Sequence, residues 1–328
     1  MGTGTQPDQP LKPSRPSAKK KRASKTTLLI LLAILIGLPA AVQLKQGWPS
    51  LTAAYDNQHL AFERNWRRAY ARFSTTLPNT PDLKTLDQRL ASSGHKRGDP
   101  LLMRIFKKEF ELEIWMRKGG RYQHFATYPI CKFSGRLGPK LKEGDRQSPE
   151  GFYTVSKGQL NPNSRWHRSF NLGYPNTHDK SHGRTGSFLM VHGGCSSIGC
   201  YAMTNAVMDE IWSLVTAALN NGQSRFQVQA FPFRMTDDNL KARENNQWSD
   251  FWADLKRGHD LFEKTRTPPK IAVCNKRYTF AEGASGSKSA PRLVKGCQYA
   301  PKLAATTPIS TSTASGQTIP LPTRQPRL

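Results

Sequence analysis

Acid is scarce in this chain of 328 residues: 23 Asp and Glu stand against 49 Lys and Arg, for a net charge of +26. Hydrophobic residues are also few, at 37%. That is low for a chain packed along its whole length, so a substantial part is expected to lie outside any core. Cysteines number five. His192, Cys195 and Cys200 have no paired Cys or His nearby to complete a zinc ligand set, which argues against a metal centre. No cofactor is expected, and no internal repeat is present. Long apolar stretches reduce to one, the 15 residues from Leu28 to Val42, broken only by Gly37 and Pro39.

The positive charge is uneven. Residues 1–27 carry seven basic residues and one acid, and residues 283–328 carry six and none. Close to half of the excess therefore sits in two tails, which read as solvated ends. The basic middle suits an anionic partner such as a cell-wall polymer, a membrane surface or nucleic acid. The cluster Lys19–Lys25 followed by the apolar run reads as an export signal. The run is short for a span, which needs about 20 apolar residues. Residues 26–44 are thus expected to be a signal peptide or an N-terminal transmembrane anchor, with the remainder outside the cytoplasm. Export disfavours nucleic acid as a partner.

Residues 1–25, rich in Pro, Ser and Lys, read as a disordered basic N-terminus. Residues 45–99 read as a helical lead-in. Thr80-Pro81 suggests a helix start, with Leu83, Leu86 and Leu90 on one face and Gly94 at the end. Near Leu101 the period changes. Phe110, Leu112, Ile114 and Met116 alternate with polar residues, Gly119-Gly120 marks a hairpin turn, and 121–130 is the return strand. Phe152–Ser156, Phe188–Val191 and Phe226–Phe231 are expected strands, and 157–187 a loop or lid. Thr204 caps a helix carrying Val207, Met208, Ile211, Leu214, Val215 and Ala218 to Gly222. Residues 240–265 read as an amphipathic helix whose Trp248, Phe251 and Trp252 serve packing. The expectation is one mostly-β domain over 100–235, a helical extension over 236–280, and a disordered basic tail over 281–328.

The chemistry gathers in Val191-His192-Gly193-Gly194-Cys195-Ser196-Ser197-Ile198-Gly199-Cys200. Thiol catalysis needs a thiolate, a base to generate it, and donors for the oxyanion. A glycine-flanked Cys in a turn ahead of a helix, with a His at a strand end, supplies those parts. Cys200 is the candidate nucleophile and His192 the candidate proton donor and acceptor, with His182 an alternative base. Gly193, Ser197 and Gly199 form the supporting turn. Ser196 and Ser197 shape it rather than react.

This stretch resembles the active-site segment of the YkuD-fold L,D-transpeptidases, in particular their YafK-like branch. So do Tyr128-Pro129-Ile130-Cys131, Ser134 to Lys140, Gly144 to Tyr153, Asn171 to Asn176 and Ser187 to Gly193, in that order. The resemblance covers about 85–265. It implies a YkuD-type β-sandwich or barrel-like domain with flanking helices. It implies a cysteine peptidoglycan transpeptidase acting in the periplasm through a thioester on stem peptides. The alternatives are an L,D-hydrolase of the same fold that releases wall-attached protein or cross-links, and a catalytically silent wall-binding module. Expected partners are peptidoglycan stem peptides, a wall-attached envelope protein, and the inner membrane if residues 26–44 remain uncleaved. The chain departs from the wider family: His192 and Cys200 are only eight apart, and Ile198 and Ala202 stand where His and Arg are usual.

Arg136, Lys140 and Arg146 are candidates for holding substrate carboxylates, against a solvated basic loop. Parity orders the cysteines. If Cys200 stays free, four remain in an oxidising compartment. Cys274 and Cys297 flank a Gly- and Ser-rich stretch and are expected to pair. Cys131 and Cys195 either bridge, fixing the turn that carries Cys200, or stay as buried thiols, and the buried thiols are the favoured expectation.

Overall fold

The computed structural model describes residues 51–300. The basic N-terminus, the apolar segment 26–44 and the tail beyond 300 lie outside the described residues.

Two five-stranded sheets face one another across the main core. The first runs β3 (Arg121–Pro129), β2 (Glu111–Lys118), β1 (Leu101–Phe106), β10 (Arg225–Phe231), β5 (Gly151–Ser156). Only its β1–β10 pair is parallel. The β2–β3 hairpin turns on Gly119-Gly120, both at positive φ (58° and 84°), as a tight two-residue turn matching strand twist requires. The second sheet runs β4 (Lys132–Phe133), β9 (Tyr201–Ala202), β8 (Met190–His192), β7 (Ser169–Asn171), β6 (Leu160–Asn161). Met103, Ile114 and Val228 of the first sheet pack with Phe170, Val191 and Tyr201 of the second. Helix α4 (Asn205–Asn220) adds Ile211, Leu214 and Val215 to that core.

The first sheet is covered on its other face too. Phe106, Phe152 and Phe231 pack there against Trp252 and Leu255 of α6 (Ser249–Thr265). Ile271 and Tyr278 join them from the hairpin β11 (Lys270–Cys274) and β12 (Arg277–Ala281). Gly258 permits the close approach of helix to sheet, because a Cβ there would lie 2.5 Å from Phe152 Cζ. Double coverage explains why Glu113, one of the polar residues alternating along β2, is buried, as is Trp115 on the same face. Trp115 meets Phe262 edge-on, and Glu113 neighbours Arg104.

Helix α1 (51–70) docks through Leu60 and the buried Asp56, which takes two bonds of 2.8 Å from Arg243. The start read at Thr80 falls later: Asp82 accepts from Lys84 N at 3.0 Å and caps the turn Leu83–Thr85, which leads into α2 (Leu86–Ser92). The stretch 157–187 holds β6, β7 and a short helix α3 (Thr177–Ser181). Residues 236–280 contain α5 (Asp237–Lys241) and the β11–β12 hairpin besides α6. Residues 281–300 hold β13 (Val294–Lys295), paired with β11 and tied down by Cys274–Cys297. Their small polar residues carried no periodic signal, and the strand they pair with, β11, was not read either; the Cys274–Cys297 bridge was the expected one. No helix among the described residues is long and apolar enough to cross a membrane.

Candidate active site

Strands β8 and β9 run parallel, with Val191 opposite Tyr201 and His192 opposite Ala202. Cys200 immediately precedes β9. Continuing the register one pair back sets it beside Met190, and Met190 and His192, two apart on one strand, share a face. The Met190 N–H points at Cys200 Sγ from 3.4 Å. Cys200 and His192 both line a cavity of about 340 Å³ with Lys140, Trp166, Phe188 and Ile198.

Phe188, Trp166 and Ile198 are exposed and give the cavity an apolar rim. The expected strand at Phe188–Val191 starts two residues later, because Phe188 adopts φ +55° and breaks the extended run.

His192 is buried, and its Nδ1 lies 2.5 Å from the Gly193 carbonyl oxygen. A carbonyl can only accept, so Nδ1 carries the hydrogen and Nε2 keeps its lone pair. Burial lowers the His192 pKa, opposed by the Gly193 bond. The imidazole is therefore neutral and basic at neutral pH. Burial raises the Cys200 thiol, opposed by the Met190 N–H and the charge of Lys140. In the chain, strand β9 stands between Cys200 and α4.

The turn is braced by hydroxyls. Ser197 Oγ and Ser148 Oγ both donate to the Cys200 carbonyl, at 2.7 and 2.9 Å. Ser134 Oγ meets Ser197 Oγ at 2.9 Å, and the Gly199 N–H donates to Ser197 Oγ at 3.1 Å. Ser197 thus shapes the turn, and the Gly199 N–H is already engaged. Gly199, at φ +140°, occupies backbone space that side chains avoid.

Cys131 and Cys195 are bridged, with Cα atoms 5.2 Å apart, which corrects the favoured expectation of buried thiols. The cause is β9. The Cys131 N–H donates to Ala202 O at 2.9 Å, and the Cys195 N–H donates to Met203 O at 3.0 Å. Both cysteines are thereby drawn to one strand end at bridging distance. Cys274 pairs with Cys297, and Cys200 is the free cysteine.

Of the three basic candidates, Lys140 lines the cavity. Its Nζ bonds Asp145 Oδ1 at 2.6 Å and Lys142 O at 2.9 Å. Arg136 and Arg146 are exposed and do not line it. His182 also lies elsewhere: it bonds Lys276 O at 2.8 Å and sits tilted against the His178 ring.

Several supporting residues escaped the sequence reading. Lys107 is fully buried, with Nζ on Glu150 Oε1 (2.8 Å), Ser148 O (3.1 Å) and Gly138 O (3.0 Å). Trp252 Nε1 donates to the other Glu150 oxygen at 2.9 Å. This network ties Ser148, and so the Cys200 carbonyl, to α6. Nothing local marks Lys107 and Glu150 as partners, since they lie 43 residues apart. Among the described residues no group of three His, Cys, Asp or Glu is placed to hold a metal.

Residues 104–254 match the family model described as the YkuD L,D-transpeptidase catalytic domain. Over 214 residues the chain is 47% identical to the Escherichia coli K12 protein named "Putative L,D-transpeptidase YafK", covering 65% of this chain and 85% of that protein. The chain belongs to the YkuD family of L,D-transpeptidases. The YkuD match runs from β1 into α6 and contains both His192 and Cys200. Among solved structures, the chain resembles the helical cell shape determining protein Pgp2 of Campylobacter jejuni. There the TM-score is 0.34 at 18% identity, over 56% of this chain and 79% of that one. Bd1075 of Bdellovibrio bacteriovorus gives 0.31 at 15% identity, over 56% and 84%. The YkuD domain here is mostly β, in the two five-stranded sheets with flanking helices, and the three-stranded sheet of β11, β12 and β13 follows it.

Proposed function

We propose that this protein is a peptidoglycan L,D-transpeptidase of the cell envelope, with Cys200 as nucleophile and His192 as proton donor and acceptor. The observation that carries the reading is the pairing, in one cavity, of the free cysteine with a histidine whose Nδ1 is committed to a backbone carbonyl. That commitment leaves Nε2 to do acid–base work. Family membership supplies the substrate class: stem peptides, cut at the carbonyl of an L-centre next to a D-residue.

Nε2 of His192 takes the Cys200 proton as sulfur attacks the carbonyl carbon. The oxyanion so formed is met by backbone N–H groups of the Ile198–Cys200 turn other than that of Gly199. Collapse expels the D-residue's amine, which takes the proton back from Nε2, and leaves a thioester on Cys200. An acceptor amine then gives a proton to Nε2 and attacks the thioester. The thiolate departs, is reprotonated by His192, and a new amide remains. Water in place of the amine gives hydrolysis by the same steps. A substrate carboxylate is assigned to Lys140, whose ammonium has a third donor, and not to Arg136 or Arg146.

The test is to incubate the purified protein with muropeptides and with protein-linked muropeptides and to weigh the products. Cross-linked or exchanged products that vanish with Cys200→Ala support the proposal. Released D-residue or released protein without a new amide would assign hydrolysis. Products that persist with Cys200→Ala would refute the nucleophile.

A further inference from the structure

The peptide unit joining Gly193 to Gly194 is held at both ends. Its carbonyl accepts from His192 Nδ1 at 2.5 Å, and its N–H donates to Asn205 Oδ1 at 2.7 Å. A peptide unit is planar and trans, so fixing the direction of its N–H fixes that of its C=O. Asn205 therefore governs where the Gly193 carbonyl points. Through that carbonyl it governs which nitrogen of His192 carries the hydrogen.

The surroundings hold Asn205 in place for this. It is the first residue of α4, directly after the cap Thr204, whose Oγ1 accepts from Val207 N. The Met203 N–H donates to His192 O at 2.7 Å, so the chain just before Asn205 is joined to the strand that carries His192. A Cβ on Gly193 would lie 2.6 Å from Asn205 Oδ1 and 3.0 Å from His167 Cβ. His167 is itself held by Asp209 of α4, at 2.7 Å. The turn is thus walled by α4 and His167, and only a residue without a side chain fits at 193. Gly193 is explained by close approach, since its φ is not positive.

We propose that Asn205 is a positioning residue for the proton transfer at His192. It acts through the 193–194 peptide to hold the tautomer with Nε2 free toward Cys200. The inference rests on the reading of His192 as the base. The two hydrogen bonds run in one direction through a polarisable amide, so each strengthens the other. No proton travels along them; proton transfer takes place at Nε2.

The test measures acylation of the full-length protein by a carbapenem over a range of about pH 5 to 9, spanning the imidazole titration. Wild type, Asn205→Ala, Asn205→Asp and His192→Ala are compared. Alkylation by iodoacetamide well above the thiol pKa reports the sulfur without need of a base. Asn205→Ala is expected to acylate about tenfold more slowly or worse. Its acid limb should shift to lower pH, because a weakened Gly193 bond no longer raises the imidazole. Alkylation at high pH should be unchanged. Asn205→Asp keeps an acceptor for Gly194 N–H and should recover most of the rate, with its acid limb at or above that of wild type. An Asn205→Ala protein with the wild-type rate and limb overturns the inference. So does a slowed variant with an unmoved limb and impaired alkylation, which would show a structural role only. If His192→Ala acylates like wild type, the base reading itself fails, and this inference falls with it.

Discussion

Burial pushes the Cys200 thiol above its ordinary range and the His192 imidazole below its own. At neutral pH both groups are then uncharged, and in the proposed mechanism acylation depends on a base in the transition state rather than on a preformed thiolate. The signs predict the pH profile. As pH falls through the His192 pKa, Nε2 gains a proton and the rate drops, with a midpoint below the ordinary imidazole value of about 6.5. Above that limb the rate is flat, until the thiol ionises on the alkaline side of its ordinary range. Carbapenem acylation followed by stopped-flow against pH checks this; an acid limb above the ordinary imidazole value would contradict it. Both residues stood out as candidates in the sequence, because a His at a strand end and a glycine-flanked Cys before a capped helix are local patterns, and the fold brings them to one cavity. Asn205 did not, because its role depends on how one peptide plane faces α4. Arg136 and Lys140 looked equivalent as loop charges, and only the fold of 134–148 separates the one in the cavity from the one outside it.

Among the elements, β9 has an effect out of proportion to its two residues. It pairs with β8 and β4 and aligns Cys200 with Met190. It also brings Cys131 to Cys195. The bridge closes 64 residues, and the chain-entropy model values such a loop at roughly 4 kcal/mol. A Cys131→Ser, Cys195→Ser double variant is therefore expected to be less stable by about that amount, unfolding at lower denaturant, and to acylate more slowly because the turn before Cys200 loosens. Urea titration beside acylation kinetics checks both, and unchanged stability would remove the bridge from the account. The long, periodic elements, α4, β10 and the β2–β3 hairpin, could be read from sequence. The short strands β4, β6, β7 and β9 could not, since two or three residues carry no period and exist only through their partners. The β11–β12 hairpin was hidden beside a strongly amphipathic helix.

Over the whole described molecule, five histidines, His95, His124, His178, His192 and His259, are pushed down chiefly by burial. His178 is held to about 2, by burial and then by the charges of Arg184 and His182, and it stacks on Tyr278 at 4.1 Å. Its folded pKa lies below the unfolded value. The stability it lends is thus complete above about pH 6.5 and is lost as pH falls, at roughly 1.4 kcal/mol per unit. Urea unfolding should show wild type weakening from pH 7 toward about pH 4, and His178→Phe, which keeps the stack, should flatten that slope. An equal slope in the two would contradict this. The mostly-β class and the family were legible from the motifs taken in order. The double coverage of the first sheet was not, because it comes from α6 and a hairpin far along the chain. Whether Cys200 carries the acyl group is decided by trapping. The protein is quenched in acid during turnover of a stem-peptide substrate and mapped by peptide mass spectrometry. A thioester is expected on the peptide containing Cys200, absent with Cys200→Ala and accumulating less with His192→Ala. An acyl adduct on any other residue, or turnover with no adduct and undiminished by Cys200→Ala, would contradict it.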